Sequence, residues 1–212
     1  MQNIKIMFIL FFAAVFCFSC GVSSSSSASA PSTAHSPSPD DPTQNYFGFT
    51  TDDASNSASN GSHYKGTAIL YKIYTSSSSP TSDYSSVEGA ADAKTRLDAL
   101  GYKFLNGASF VIPASSSNQS VEIRLFDETS YTKGIKINGS VTGIPTRHAS
   151  GNFQFSSTYY PSSSEGDFSG SATTTGPWYV AAYALPAIQE DSLVYTYPSF
   201  KYLGVVKIYY IW

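Results

Sequence analysis

Twice in this chain an Asn-Gly pair stands between two short runs of alternating apolar residues, and that arrangement restricts the fold more than any other feature. Tyr102 to Leu105 and Ala108 to Ile112 flank Asn106-Gly107, while Ile135 to Ile137 and Ser140 to Ile144 flank Asn138-Gly139. A two-residue turn of type I′ needs positive φ at both central positions, and Asn followed by Gly tolerates this best. Two antiparallel hairpins are therefore expected. His63 to Thr75 places Thr67, Ile69, Tyr71 and Ile73 on one face and Ala68, Leu70, Lys72 and Tyr74 on the other. Both faces are partly apolar, so it reads as a central strand. Val121, Ile123 and Leu125 alternate with Glu122 and Arg124, the pattern of a half-exposed strand. Further strands are expected at Tyr46 to Phe49, at Asn152 to Ser156 with Phe153 and Phe155 on one face, at Trp178 to Leu185, at Leu193 to Tyr197 and at Tyr202 to Trp212.

Composition agrees. Charged residues make up 13% of the chain, well under the usual share, and aromatics 15%, mostly Tyr and Phe. One helix interrupts the pattern: Ser85 and Glu88 have capping-box spacing, Gly101 supplies a stop, and Ala90, Ala93, Leu97 and Leu100 form one apolar stripe. The polar residues Asp92, Lys94, Arg96 and Asp98 then form its solvated face. The expected fold is mainly β, an antiparallel β-sandwich or barrel with one inserted helix. Trp178-x-Val180-x-Ala182 resembles the penultimate strand of fibronectin type III and immunoglobulin-like sandwiches, and Ile69 to Tyr74 matches an early central strand. That resemblance implies a fold and no activity.

The N-terminus carries a different signal. Met1 to Lys5 is polar with one positive charge, and Ile6 to Phe18 is an apolar run of 13 residues. That length suits the apolar region of an export signal and falls short of the ~20 residues that span a bilayer. Cys17-Phe18-Ser19-Cys20-Gly21 resembles the lipobox of bacterial lipoproteins, in the relaxed form of spirochaetes: Ser19 and Gly21 fit, whereas Cys17 and Phe18 replace the usual aliphatic and small residues. The resemblance implies diacylglyceryl transfer to Cys20 and cleavage before it. Cys17 is the poorer acceptor, because bulky Phe16 precedes it. Ala28-Ser29-Ala30 offers an ordinary signal-peptidase site, but it lies far beyond the apolar run. The expected organisation is a signal peptide over residues 1–19, a lipidated Cys20 opening a flexible Ser/Pro-rich tether over 20–45, and one β-rich domain over 46–212. Such a protein would be anchored by its lipid in the bacterial cell envelope, at the outer membrane or cell surface.

The domain itself offers little chemistry. No Cys follows Cys20, so it has neither a thiol nucleophile nor an internal disulfide. No G-x-S-x-G elbow and no Gly-rich phosphate loop is present. His63 and His148 are isolated, without zinc-ligand spacing. Asp127-Glu128 and Glu190-Asp191 are the carboxylate pairs a glycan hydrolase would draw on. Asp52-Asp53, Asn56 and Asn60-Gly61 gather calcium-type oxygen ligands, without the spacing of a calcium loop. Tyr159-Tyr160, Tyr179, Tyr183, Tyr195, Tyr197 and Tyr209-Tyr210 either fill half-buried strand positions or face a ligand, and an exposed Trp178 or Trp212 would serve a carbohydrate-binding module. Without the leader the chain keeps eleven basic and fifteen acidic residues, a net charge of −4 with no basic cluster, which argues against nucleic acid. The reading is a non-catalytic binding or structural domain with a protein or glycan ligand and no cofactor. An envelope glycan hydrolase or a carbohydrate-binding module is the alternative.

Overall fold

The computed structural model describes residues 26–128, 130–148, 151–191 and 194–209. Cys17, Cys20 and the leader lie outside the described residues, as do Tyr210 and Trp212. Strands β3 (Tyr64–Tyr74) and β10 (Trp178–Asp191) form the central antiparallel pair, in register from Tyr74 opposite Tyr179 to Gly66 opposite Ala187, with a shift before Tyr64 meets Ile188. As its two apolar faces require, β3 is buried along nearly its whole length. The far edge of β10 is taken in turn by β11 (Val194–Thr196) and β12 (Lys201–Ile208), two pieces of one returning segment. The far edge of β3 is taken by β5 (Ile112–Pro113), β4 (Lys103–Phe104) and the parallel β9 (Phe168–Ser169).

The hairpin expected at Asn106-Gly107 is therefore absent. Both residues do adopt positive φ, at 57° and 62°. Yet they form part of a 3-10 turn, Leu105–Gly107, and the flanking strands β4 and β5 pair with β3 rather than with each other. The reason is backbone satisfaction: β3 presents a long buried edge whose N–H and C=O groups need partners. At Asn138-Gly139 the hairpin forms as expected, with φ of 50° and 83° between β7 (Gly134–Ile137) and β8 (Ser140–Gly143). These belong to a second, five-stranded sheet, completed by β1 (Ser32–His35), β2 (Phe47–Thr50) and β6 (Ser120–Arg124) in the order β1-β2-β6-β7-β8.

The two sheets face each other across the main core, as a sandwich should. Ile69, Tyr71, Ile73, Val180, Ala182 and Trp178 meet Phe47, Phe49, Val121, Ile123 and Ile135 there. Phe153 and Phe155 fill the same core, but from irregular backbone instead of the expected strand. The opposite face of the β3–β10 sheet carries Ala68, Leu70, Tyr74, Ala181, Tyr183 and Leu185, which pack against a helical layer through Val87, Leu97 and Tyr102. This helical layer sets the molecule apart from a plain two-layer immunoglobulin-like sandwich.

The single helix expected from Ser85 to Leu100 is two helices, α2 (Ser79–Glu88) and α3 (Ala93–Ala99); α1 (Asp53–Asn60) occupies the stretch read as an Asp/Asn loop. Gly89 ends α2, and Asp92 restarts the helix by accepting bonds from the Thr95 N–H at 3.1 Å and the Thr95 hydroxyl at 2.6 Å. A real N-cap outcompetes a glycine held inside a helix. Ser85 and Glu88 form no capping box, since Ser85 bonds Thr81 O and Glu88 accepts from Tyr84. Gly101, at φ 88°, terminates α3 as expected, with the Tyr102 N–H returning to Leu97 O.

Candidate functional site

The flexible tether expected over residues 20–45 is not what the structure places at residues 26–45. Side chains distant in sequence bond this segment along its length. Ser26 Oγ donates to Glu190 at 2.8 Å and lies 3.0 Å from Thr196 Oγ1. Asn60 donates to Ser27 O, Ser199 to Ala28 O, and Asn56 exchanges two bonds with the Ser29 backbone. Pro31 is buried, and β1 adds to the edge of β2. Farther on, Arg124 donates to Pro42 O and Thr43 O, Lys207 pairs with Asp40 at 2.6 Å, and Tyr209 donates to Pro39 O. Arg124 also lies between the rings of Tyr46 and Tyr131, 4.4 Å from each, and His35 stacks on Tyr46 at 4.0 Å. Gly48 permits that stack: a Cβ there would stand 2.8 Å from His35 Cβ. A segment poor in apolar side chains is thus ordered by polar bonds to its backbone, a cause that composition does not reveal.

The calcium-type cluster dissolves into this strap and its surroundings. Asp53 is buried and accepts from Tyr64 at 2.6 Å and Gln119 at 2.6 Å, Asp52 accepts from Ser55, and Asn56 and Asn60 hold the strap. Among the described residues, no three His, Cys, Asp or Glu side chains converge as a metal site. His63 and His148 are exposed, and the His63 ring lies 3.0 Å from Gln189 O. Asp127 accepts from Gln154 and the Lys133 N–H, Glu128 from Asn45, and Glu190 from Ser26 and Thr196; the Asp191 side chain lies outside the described residues. Trp178 is fully buried against Phe155, with ring centroids 5.0 Å apart, so it offers no exposed platform.

The tyrosines mostly fill the cores. Tyr160 and Tyr209 pack on the main core, and Tyr179 and Tyr197 on the second, which contains Tyr183. Tyr74 donates to Asp83 at 2.5 Å, and its oxygen accepts from Tyr102 at 2.8 Å, while Lys72 pairs with Asp83 at 3.3 Å. Burial is the main cause that raises the pKa of Tyr74, Tyr102 and Tyr183. Tyr183 Oη and Trp178 Nε1 are buried with no hydrogen-bond partner among the described residues. This polar cluster bolts α2 to the sheet.

One open cleft, of about 380 Å³, lies where the strap begins. Its walls are Ser26, the start of α3 from Asp92 to Thr95, and Tyr195 to Pro198. Lys94 Nζ sits 4.8 Å from the Phe104 ring and 5.6 Å from the Tyr197 ring, and it pairs with Asp98 at 2.5 Å. Tyr195 tilts against Phe110 at 6.2 Å. The Tyr197 hydroxyl donates to Ser109 O, and burial pushes its pKa up to about 12. Bonds from Thr95, the hydroxyl first, hold the Asp92 carboxyl below the usual range. The carboxylate of Asp92 and the ammonium of Lys94 are thus engaged by neighbours in the chain.

Sequence reading singled out neither the cleft nor the fully buried Arg147. Arg147 donates to Asp167 through Nε and Nη2 and to Glu165 through Nη1 and Nη2, while Tyr71 donates to Asp167 at 2.6 Å. These partners lie 18, 20 and 96 residues apart in pairs that no local pattern links. No protein family, curated protein or solved structure matches this chain.

Proposed function

We propose that this chain is a lipid-anchored protein of the bacterial cell envelope, at the outer membrane or cell surface, whose β domain serves binding or a structural role. One observation carries the reading. Every strand and helix described lies between Ser32 and Ile208, so cleavage before Cys20 removes none of the described elements. Cleavage after Ala30 would instead delete Ser26 to Ser29, whose bonds to Glu190, Asn60, Ser199 and Asn56 hold the strap. The fold thus favours Cys20 over the Ala28-Ser29-Ala30 site. A binding or structural role is supported over glycan hydrolysis by the engagement of Asp127, Glu128 and Glu190 with neighbouring side chains.

Cys20→Ala tests the anchor. The wild type is expected to sediment with membranes and to carry acyl mass on an N-terminal Cys20, whereas the variant leaves the membrane fraction. Unchanged sedimentation of the variant, or a wild-type product with residue 20 unmodified, refutes the reading.

A further inference from the structure

We infer that the end of the domain formed by Ser26, the first residues of β11 (Val194 and Tyr195) and the cleft lies against the phospholipid headgroups. This deepens the lipid-anchor reading and rests on it. Only five residues lie between Cys20 and Ser26, six backbone steps in all. At most ~3.6 Å per residue, they reach about 20 Å, and part of that is spent crossing the headgroup layer. Ser26 is itself bonded to Glu190 on β10 and Thr196 on β11. The strap therefore fixes which end of the domain the anchor draws down.

The surface at that end has the chemistry of an interface. Val194, which opens β11, is 52% exposed, and among the described residues only Val141 and Ile144 are large apolar residues exposed as much. Tyr195 follows it, half-buried beside Phe110, and tyrosine combines an apolar ring with a polar tip suited to headgroup depth. The charges nearby are of both signs: Glu190 accepts from Ser26, and Lys94 pairs with Asp98. The described residues at this end form no basic cluster to seek anionic lipid, so the partner is a neutral bilayer surface met by apolar and aromatic contact. The opposite end, beyond Tyr74, lies the length of β10 away, about 40 Å at ~3.3 Å per residue. The domain stands end-on, its Tyr74 end outward.

The test uses the lipidated protein in phosphatidylcholine vesicles. The mature chain has no cysteine besides the acylated Cys20, so Val194→Cys and Ser77→Cys each give one labelling site for an environment-sensitive fluorophore. Both positions are exposed, and both variants are expected to fold. The label at 194 should shift to the blue on vesicle binding and be quenched by lipid-borne quenchers, while the label at 77 stays water-like. Two water-like labels, with acylation of Cys20 confirmed by mass, overturn the docking and leave the anchor standing. A blue shift at 77 overturns the orientation. A bare Cys20 removes both readings together.

Discussion

Arg147 concentrates the cost of error at a single position. Its guanidinium is buried and spends its donors on two carboxylates, both oxygens of Asp167 and both of Glu165. Burial works to lower its pKa, but the bonds and charges of Asp167 and Glu165 outweigh that and raise it. Tyr71 completes the group from β3, and the His148 N–H donates to the Tyr71 hydroxyl, so a loop with little regular structure is fastened to the central sheet. Arg147→Met should cost ~3–5 kcal/mol, because it strands a buried carboxylate without its counter-charge. Urea unfolding measures this, and adding Asp167→Asn to the variant should recover part of the loss. Equal stability of Arg147→Met and wild type would show that the cluster contributes nothing to holding the loop.

At the scale of elements, the strap behaves as a separable piece. Asn56→Ala removes both bonds to the Ser29 backbone and should cost ~1–3 kcal/mol, with faster proteolytic cutting in residues 26–31 and the main core intact. Unchanged cutting would mean that the remaining bonds suffice. Elements set by local chemistry were legible in the sequence: β3 with its two apolar faces, the hairpin at Asn138-Gly139, and the stop at Gly101. Positive φ at Asn106-Gly107 was legible too, but the partner of its flanking strands was not, since β3 lies more than thirty residues upstream. The strap escaped for the same reason. Serine and proline announce a lack of apolar burial, whereas the groups that order them, Asn56, Asn60, Arg124 and Lys207, come from remote stretches. The cleft was invisible because its walls converge from three such stretches, although the tyrosines beside it were noticed.

For the molecule as a whole, buried phenols set the response to alkali. Burial, reinforced by Tyr84 and Asp83, pushes the Tyr202 pKa up to about 12, and burial, offset in part by Ser109, does the same for Tyr197. Tyr64, Tyr71, Tyr74, Tyr102 and Tyr183 shift upward as well, again chiefly through burial. The folded state therefore holds protons that the unfolded chain releases near pH 10. Stability is full below that value and falls above it, by about 1.4 kcal/mol per pH unit for each such tyrosine. Unfolding should set in between about pH 10 and 12, with phenolate absorbance rising in one cooperative step. Gradual, independent ionisation while the fold persists would contradict it. The strap adds a mechanical property. A pull transmitted through an N-terminal attachment meets the bonds of Ser26, Ser27, Ala28 and Ser29 one after another, then the edge pairing of β1. Contacts loaded in sequence open like a zipper, at lower force than contacts loaded all at once. Peeling residues 26–45 would free a segment about 65 Å long at ~3.4 Å per residue, with the central β3–β10 pair still closed. A short leash thereby becomes a long one under tension.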